Sequence, residues 1–306
     1  MSFQYTKTQH TTPYPSISPT LPSLASPPTR SVLIVGGSTG IGKATALAFL
    51  ASGSRRIALL ARRQPVLDAT AAALRAQYPD ARVVACAADV ADEHAVDAAF
   101  AKARRELGAA PGGLDVVVNA AGVAPPLKTL AQSDVGGAWW RGFETNVRGA
   151  AVVARAAAKH AVAADNGDGD GDGAVLLYLG TAGALFPANA AFPASGYAAS
   201  KLAGVKVMEY FGAENPGVRV ISVHPGVVTE TEGGKKMVEE SGMEWPGDDI
   251  NLPAHFLVWA ASKEAEFLKN KFVFAAWDVD ELKARKDEIA QSPELIIGLN
   301  GLPRNV

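Results

Sequence analysis

From Ser31 onward, the hydrophobic positions form short apolar runs that are separated by longer, alanine-rich stretches with a helical period. Continuous apolar runs are typical of strands buried on both faces, and helices between them are typical of a parallel sheet. The predicted strands are Val32–Val35, Ile57–Leu60, Val83–Cys86, Val116–Val118, Val175–Leu179, Val218–Val223 and Phe272–Phe274. The clearest predicted helices are Lys43–Ser52, Val66–Gln77 and Ala95–Leu107. The pattern predicts an α/β fold, with a doubly wound parallel sheet in a three-layer α/β/α arrangement.

Residues 1–30 differ in composition from the rest of the chain. They contain six prolines, many Ser and Thr residues and no acidic residue. Such a segment buries too little apolar surface to offset the entropy lost on ordering. We therefore predict a flexible or loosely docked arm, followed by a single domain over residues 31–306. A transit peptide is disfavoured because the segment is poor in Arg and lacks an apolar helical face. An arm that lies over a partner subunit is the remaining alternative.

The stretch Asp165–Gly173 is built from Asp and Gly residues, and its second half imitates the start of a calcium-binding EF-hand loop. Leu179, within a predicted strand, stands where the bidentate Glu of that loop would be. We predict a flexible, solvated insertion before the fifth strand.

The overall charge and the cysteine content exclude several classes of protein. The chain has 29 basic and 31 acidic residues, so no basic face for nucleic acid is expected. Because no apolar run reaches membrane-spanning length, no membrane span is predicted. Cys86 is the only cysteine, and in its apolar run it is expected to be an inert core thiol of a cytoplasmic protein. The histidines show no metal-ligand spacing with it, so no metal site is predicted.

A glycine-rich turn, Gly36–Gly42, joins the first strand to the first helix. Glycines at 36, 40 and 42 allow a tight turn and a close approach of the backbone to a pyrophosphate, which the N-terminus of the helix would bind. The predicted cradle also includes Ser38, Thr39 and Ile41. A turn that merely packs helix on strand is the alternative, but the position at the start of a βαβ series favours a Rossmann-type dinucleotide site.

The end of the second strand indicates which dinucleotide binds. An acidic residue there would bond the ribose 2′-hydroxyl of NAD(H). The sequence instead continues from Ala61 into Arg62 and Arg63, and a guanidinium can pair with a 2′-phosphate. NADP(H) is therefore predicted in preference to NAD(H), whereas two solvated surface arginines would be the structural alternative.

Tyr197 and Lys201 are four residues apart in a predicted helix, so they share one helix face. A nearby ammonium, together with a positive nicotinamide ring, would lower the pKa of the phenol and let Tyr197 exchange a proton with an alcohol or ketone. A pair on a helix surface, without chemistry, is the alternative.

These motifs occur in a fixed order over roughly residues 31–275: Gly36–Gly42, Asn119–Gly122, Asn146, the Tyr197/Lys201 pair and Pro225-Gly226. Together they resemble the classical branch of the short-chain dehydrogenase/reductase family. The resemblance implies an oxidoreductase that acts on CH–OH and C=O groups, assembled as a homodimer or homotetramer through the helices bearing Asn146 and Tyr197. Segments Pro253–Trp259 and Phe272–Asp280 are similar to the tail of fungal members, many of them in secondary metabolism.

The family resemblance also implies roles for individual residues. Asp89 would bond the adenine ring, and Asn119 would steady the central sheet beside the adenosine. Ala120 stands where the motif has a second Asn, which weakens a structural bond. Asn146 would hold a water in a proton relay to Lys201, which would itself bond the ribose of the nicotinamide.

In this family, the residues that follow the proline equivalent to Pro225 bind the nicotinamide carboxamide. Val228 would contact it through its backbone. The family's Thr five residues after the proline is Glu230 here. Thr229 or Thr231 would substitute, and we favour Thr229.

The catalytic serine of the family is missing, since Ala184 lies thirteen residues before Tyr197. Aligned on the end of the fifth strand, Thr181 takes its place, and its hydroxyl can donate to a substrate carbonyl. Ser195 is a rival, but two residues before Tyr197 it would point off the catalytic face.

The leading hypothesis is hydride transfer between nicotinamide and a carbonyl carbon of a small molecule. Thr181 would polarise the oxygen, Tyr197 would supply the proton, and Lys201 and Asn146 would complete the relay. An NAD-linked alcohol dehydrogenase and a non-catalytic dinucleotide-binding regulator are the alternatives. The loops 184–196 and 229–252 suggest a largely apolar ligand, through Phe186, Phe192, Met237, Met243 and Trp245.

Overall fold

The computed structural model describes residues 4–109, 113–161 and 173–298. Seven parallel strands form one sheet in the order β3-β2-β1-β4-β5-β6-β7. They are β1 (Ser31–Val35), β2 (Arg56–Ala61), β3 (Arg82–Ala87), β4 (Val116–Asn119), β5 (Val175–Leu179), β6 (Arg219–His224) and β7 (Lys271–Phe274). Each predicted strand is present, with bounds that differ by at most one residue at either end. The prediction of a doubly wound, Rossmann-type sheet is confirmed.

Helices cover the sheet and connect its strands. They are α1 (Gly40–Ala51), α2 (Gln64–Gln77), α3 (Glu93–Leu107), α4 (Trp140–Phe143), α5 (Gly149–His160), α6 (Ser195–Glu214), α7 (Glu232–Ser241), α8 (Asn251–Ala260), α9 (Val279–Ala284) and α10 (Lys286–Gln291). Two π-helical turns, Val135–Trp139 and Glu144–Arg148, flank α4. None of the helices within the described ranges is long and apolar enough to cross a bilayer.

The strand order determines where a ligand site can form. The order reverses direction beside β1, because β2 and β4 lie on opposite sides of β1. A crevice forms at such a reversal, outside the carboxyl ends of the strands, and ligands of open α/β sheets bind there. Every residue of β1, β4 and β5 is buried, so the strands that end at the crevice form a rigid base.

The N-terminal segment lies against the C-terminal part of the domain. Gln9 forms an antiparallel bridge with Trp277, and the His10 ring lies 2.9 Å from an Asp278 carboxylate oxygen. Ile17 is fully buried in the main core. These contacts describe how residues 4–30 dock, while the division of the chain at residue 30 stays a prediction. The predicted insertion lies outside the described residues, apart from Gly173.

Ile17→Ala should lower the free energy of unfolding by about 3 kcal/mol, since it leaves a cavity where a fully buried side chain was. Denaturant unfolding measures this change. Leu130→Ala, a truncation at a side chain that is 56% exposed, is the control and should change stability little. An equally small loss for Ile17→Ala would mean that the arm contributes nothing to the folded core.

Candidate active site

The glycine-rich turn is shaped by close backbone packing. Gly36 has a φ of +80°, and a Cβ on it would lie 2.9 Å from backbone atoms of Ala120 and Ala121. A Cβ on Gly42 would lie 2.3 Å from the Gly36 carbonyl oxygen. Gly40 has a φ of +55°, and within the described part of the chain a Cβ on it would meet only the Thr231 side chain, at 3.3 Å. Gly36 and Gly42 are therefore required by the packing of the turn itself, whereas Gly40 faces a side chain of the loop before α7.

The N-terminus of α1 lacks the side-chain cap that α3, α7 and α9 have. Thr39 is the N-cap residue of α1, and in the described range 4–109 its side chain accepts no hydrogen bond from the N–H groups of the first turn. By contrast, Asp92 caps α3 and Thr231 caps α7 in this way. Uncapped N–H groups and the positive end of the helix dipole favour an anion. Beside them, Ser38 is buried, and its carbonyl accepts a hydrogen bond of 2.8 Å from the Thr70 hydroxyl.

Two arginines follow β2 and have different surroundings. Arg63 forms an ion pair with Glu232 at 3.2 Å. Arg62 lies 3.9 Å from Asp89, and its side chain is 65% exposed. The structure thus brings together Arg62, predicted to bind a 2′-phosphate, and Asp89, predicted to bond adenine. The sequence did not indicate this proximity.

Asn119 closes the crevice at the end of β4. It is buried, and its side-chain oxygen accepts a hydrogen bond of 3.2 Å from the Ala121 N–H. The Ala120 N–H donates to the Val35 carbonyl at 2.8 Å. The backbone of the Asn119–Gly122 turn is therefore fastened to β1 although the second Asn of the family motif is absent.

Tyr197 and Lys201 both lie on α6, as the spacing predicts. Lys201 is buried, and its ammonium donates a hydrogen bond of 2.8 Å to the Leu179 carbonyl. Burial lowers the pKa of Lys201 to about 8. The pocket for the ammonium depends on Gly122, since a Cβ there would lie 2.9 Å from the Lys201 Nζ.

The pKa of Tyr197 is set mainly by burial. Burial is the largest influence and raises the pKa of the phenol above its ordinary value, while a hydrogen bond with Thr181 lowers it by less. Lys201 directs its ammonium to a carbonyl of β5. The predicted lowering depends on a bound nicotinamide ring as well as on Lys201, and it stays a prediction.

Thr181 stands directly after β5, at the start of the 3₁₀ turn Ala182–Ala184. Its hydroxyl accepts a hydrogen bond of 3.3 Å from the Gly183 N–H and lies close enough to the Tyr197 phenol to lower the pKa of that phenol. Ser195 is exposed instead, and its hydroxyl accepts a hydrogen bond of 3.2 Å from the Trp139 indole. The geometry places Thr181, and not Ser195, beside the tyrosine.

Asn146 lies in the π-helical turn between α4 and α5, and its side chain is buried. Its carboxamide exchanges two hydrogen bonds of 2.9 Å with the Val123 backbone and donates a third to the Ser200 hydroxyl. Its own carbonyl accepts a bond of 3.2 Å from the Tyr178 hydroxyl. Sequence reasoning missed Ser200 and Tyr178. Only the position of Ser200, between Tyr197 and Lys201, offered a signal.

The segment after Pro225 separates the two candidate threonines. The Thr231 hydroxyl caps α7 and donates to the Val228 carbonyl at 3.0 Å. Thr229 faces the neighbouring loop, since a Cβ on Gly247 would lie 2.4 Å from its hydroxyl oxygen. Glu230 accepts a hydrogen bond from the N-cap of α8 at 3.2 Å. Because Thr231 is already engaged in capping, Thr229 remains the stronger candidate for a carboxamide contact.

Of the predicted apolar loop residues, the structure brings two together. The rings of Phe192 and Trp245 lie 5.7 Å apart. Phe186 and Met243 are 49% and 47% exposed. His224, at the end of β6, packs edge-on against Phe274 at 4.8 Å, and burial lowers its pKa to about 4. It is therefore neutral near pH 7 and packs as a structural residue.

The sequence is similar to a known family over most of its length. Residues 30–242 match the family model for short chain dehydrogenases. A short chain dehydrogenase/reductase of Claviceps purpurea is 34% identical over 268 residues, covering 85% of this chain and 82% of the relative. The short chain dehydrogenase mpl6 of Monascus purpureus is 32% identical over 275 residues, covering 88% of each. These relatives are fungal.

Solved structures share the fold. Levodione reductase superposes with a TM-score of 0.70 at 22% identity, over 80% of this chain and 95% of that chain. A short chain dehydrogenase of Burkholderia cenocepacia, solved in complex with NADP, gives a TM-score of 0.67 at 24% identity, over 84% of this chain and 99% of the other. Because the family model spans well over half of the sequence and carries this site with it, the chain belongs to the short chain dehydrogenase family of oxidoreductases.

Proposed function

We propose that this protein is an NADP(H)-dependent carbonyl reductase whose substrate is a largely apolar small molecule. The observation that carries the proposal is the convergence of the half-buried Tyr197 phenol, its Thr181 neighbour and the buried Lys201 ammonium at the carboxyl end of β5. The fungal relatives support a place in fungal secondary metabolism. Cytoplasmic location and assembly as a homodimer or homotetramer belong to the same proposal.

The residues of the crevice fit a dinucleotide. The glycine-rich turn at Gly40 and the uncapped start of α1 would receive the pyrophosphate, with Ser38, Thr39 and Ile41 alongside. Asp89 and Asn119 would border the adenosine, while Val228 and Thr229 would border the carboxamide. When bound, the nicotinamide supplies a hydride to the carbonyl carbon.

The chain's own residues then hold the substrate and move the proton. The Thr181 hydroxyl donates to the substrate oxygen and fixes its position beside Tyr197. Tyr197 gives its phenolic proton to that oxygen as negative charge develops there. Lys201, as an ammonium, favours the resulting phenolate. The Asn146 carboxamide is hydrogen-bonded to the Val123 backbone, and it thereby fixes the π-helical turn beside Lys201.

Turnover of NADPH with a panel of apolar ketones and quinones tests the proposal. Consumption of NADPH that depends on one of these carbonyl compounds would support it. Oxidation of an alcohol with NAD and little use of NADPH would favour the NAD-linked alternative. Tight binding of NADPH without turnover of any compound would favour a non-catalytic regulator.

The cofactor preference is expected to depend on Arg62. Arg62→Ala should raise the Kd for NADPH by about 10- to 100-fold and leave the Kd for NADH unchanged, since a charge-assisted bond to the 2′-phosphate contributes roughly 1.5–3 kcal/mol. The solved neighbour with NADP supports this preference. Fluorescence titration of both nucleotides measures it.

Arg63→Ala is the matched control, because Arg63 is paired with Glu232. Its effect on NADPH should be several times smaller. If both variants weakened NADPH and NADH equally, Arg62 would be a general surface charge and the preference would need another origin.

A further inference from the structure

Tyr178 is a large polar side chain within the otherwise aliphatic strand β5. It is fully buried, and its hydroxyl donates a hydrogen bond to the Asn146 carbonyl at 3.2 Å. The surface of α6 has a gap for this hydroxyl at Gly204. A Cβ at that position would lie 2.2 Å from the Tyr178 oxygen and 2.7 Å from the Asn146 carbonyl oxygen. The sequence thus keeps room in α6 for one specific tyrosine.

The ring of the same tyrosine faces the ammonium of Lys201. The Lys201 Nζ lies 5.3 Å from the ring centroid, within the range in which a cation is attracted to an aromatic face. Among the described residues, no carboxylate forms an ion pair with Lys201. The ammonium therefore relies on the Leu179 carbonyl and on this ring.

The groups around Lys201 come from four elements. Its own helix carries Tyr197 four residues earlier, β5 contributes Tyr178, and the turn after β4 and the π-helical turn contribute the uncharged Gly122 and Asn146. Burial, with a smaller effect of Tyr197, raises the pKa of Tyr178. Tyr178 accordingly stays a neutral phenol near pH 7, and its hydroxyl remains a hydrogen-bond donor.

We propose that Tyr178 is a positioning residue of the site, whose ring holds the Lys201 ammonium in place of a carboxylate and whose hydroxyl fixes the Asn146 carbonyl. The consequence for catalysis rests on the proposed function, because it assumes that Lys201 acts on Tyr197 as an ammonium. A carboxylate would neutralise the cation. The ring holds the ammonium and leaves its positive charge available to the phenol of Tyr197.

The two parts of the side chain can be tested separately. Tyr178→Phe keeps the ring and removes the hydroxyl, whereas Tyr178→Met removes the ring and fills much of its volume. NMR titration of isotope-labelled lysine side chains, assigned with Lys201→Met and recorded without nucleotide, reports the midpoint of Lys201. We expect it to fall by about one pH unit in Tyr178→Met, and to keep the wild-type value in Tyr178→Phe.

Phe49→Met is the control for loss of a buried aromatic ring, since Phe49 is equally buried on α1. It should leave the midpoint of Lys201 unchanged. A wild-type midpoint in Tyr178→Met, or an equal fall in Tyr178→Phe, would overturn the role of the ring. If Tyr178→Met does not fold, fluorinated phenylalanines at position 178 serve instead, because fluorine weakens the ring face with little change in shape. A midpoint that did not fall with successive fluorines would overturn the proposal.

Enzyme assays keep this proposal separable from the proposed function. With active wild type, the alkaline limb of the kcat/KM profile should move to lower pH in Tyr178→Met by as much as the NMR midpoint. An NMR shift in a protein that turns over no carbonyl compound would reject the proposed function and support the ring's hold on Lys201. Normal turnover of a carbonyl compound without the NMR shift would support the proposed function and overturn the ring's hold on Lys201.

Discussion

Tyr197→Phe is expected to lower kcat about a thousandfold, because it removes the hydroxyl that gives a proton to the substrate oxygen. The affinity for NADPH should stay within a few-fold of wild type, since the ring, the helix and the Lys201 pocket are unchanged. Burial raises the pKa of this phenol, so the neutral, proton-donating form predominates near pH 7. Single-turnover reduction of a ketone at saturating NADPH is the measurement.

Tyr210→Phe is the matched control, because Tyr210 lies on the same helix with its side chain 63% exposed. It should keep wild-type kcat. If Tyr197→Phe also kept most of its kcat, proton transfer would have to come from another group, and the assignment of Tyr197 as the general acid would fail.

The strands could be predicted almost to the residue because their burial leaves a direct trace in the sequence. In β1 and β5 every position is buried, so the apolar run and the strand coincide. The glycine turn could be predicted for a related reason, since a positive φ and close backbone contacts restrict Gly36 to glycine, and close backbone contacts do the same at Gly42. Strand burial and tight turns depend on residues that are close together in the sequence, so the sequence can predict them.

The hydrogen-bond network behind the site could not be predicted in the same way. The bond from Tyr178 to the Asn146 carbonyl joins residues 32 apart, and the bond from Asn146 to Ser200 joins residues 54 apart. Such contacts depend on how β5, α6 and the π-helical turn pack together, which no periodicity reports. The extra residue of each π-helical turn is likewise invisible in a pattern with a helical period.

The individual contacts of the arm and the pKa of Tyr197 could not be predicted, for a different reason. Composition describes residues 1–30 as an average, whereas Ile17 packs into the core as a single side chain. The pKa of Tyr197 depends on how much water its environment excludes, and spacing along a helix carries no information about that. The lowering expected from Lys201 together with a bound nicotinamide ring stays a prediction.

Lys201→Met is expected to abolish detectable reduction and, at the same time, to stabilise the protein near pH 7 by about 2 kcal/mol. Burial lowers the pKa of Lys201 to about 8 from its ordinary value of 10.5, which corresponds to a cost of about 3 kcal/mol for keeping the buried ammonium charged. Met removes this cost, while the loss of the hydrogen bond to the Leu179 carbonyl destabilises the variant by about 1 kcal/mol. A catalytic group that destabilises its own fold is a common trade-off.

The sign of the pH dependence makes this prediction specific. Below pH 8 Lys201 is protonated in both the folded and the unfolded state, so the full cost applies and the gain from Met is largest. Between pH 8 and about 10.5 the folded state releases the proton first, and the wild type gains about 3 kcal/mol relative to the variant. The variant then becomes about 1 kcal/mol less stable than wild type, because it still lacks the hydrogen bond to the Leu179 carbonyl. Denaturant unfolding of both proteins across this range measures it, with Lys206→Met as the control, because Lys206 is exposed on the same helix and paired with Glu209 at 2.6 Å. A variant that was less stable than wild type at pH 7, or a difference that did not vary with pH, would show that the buried ammonium does not destabilise the fold.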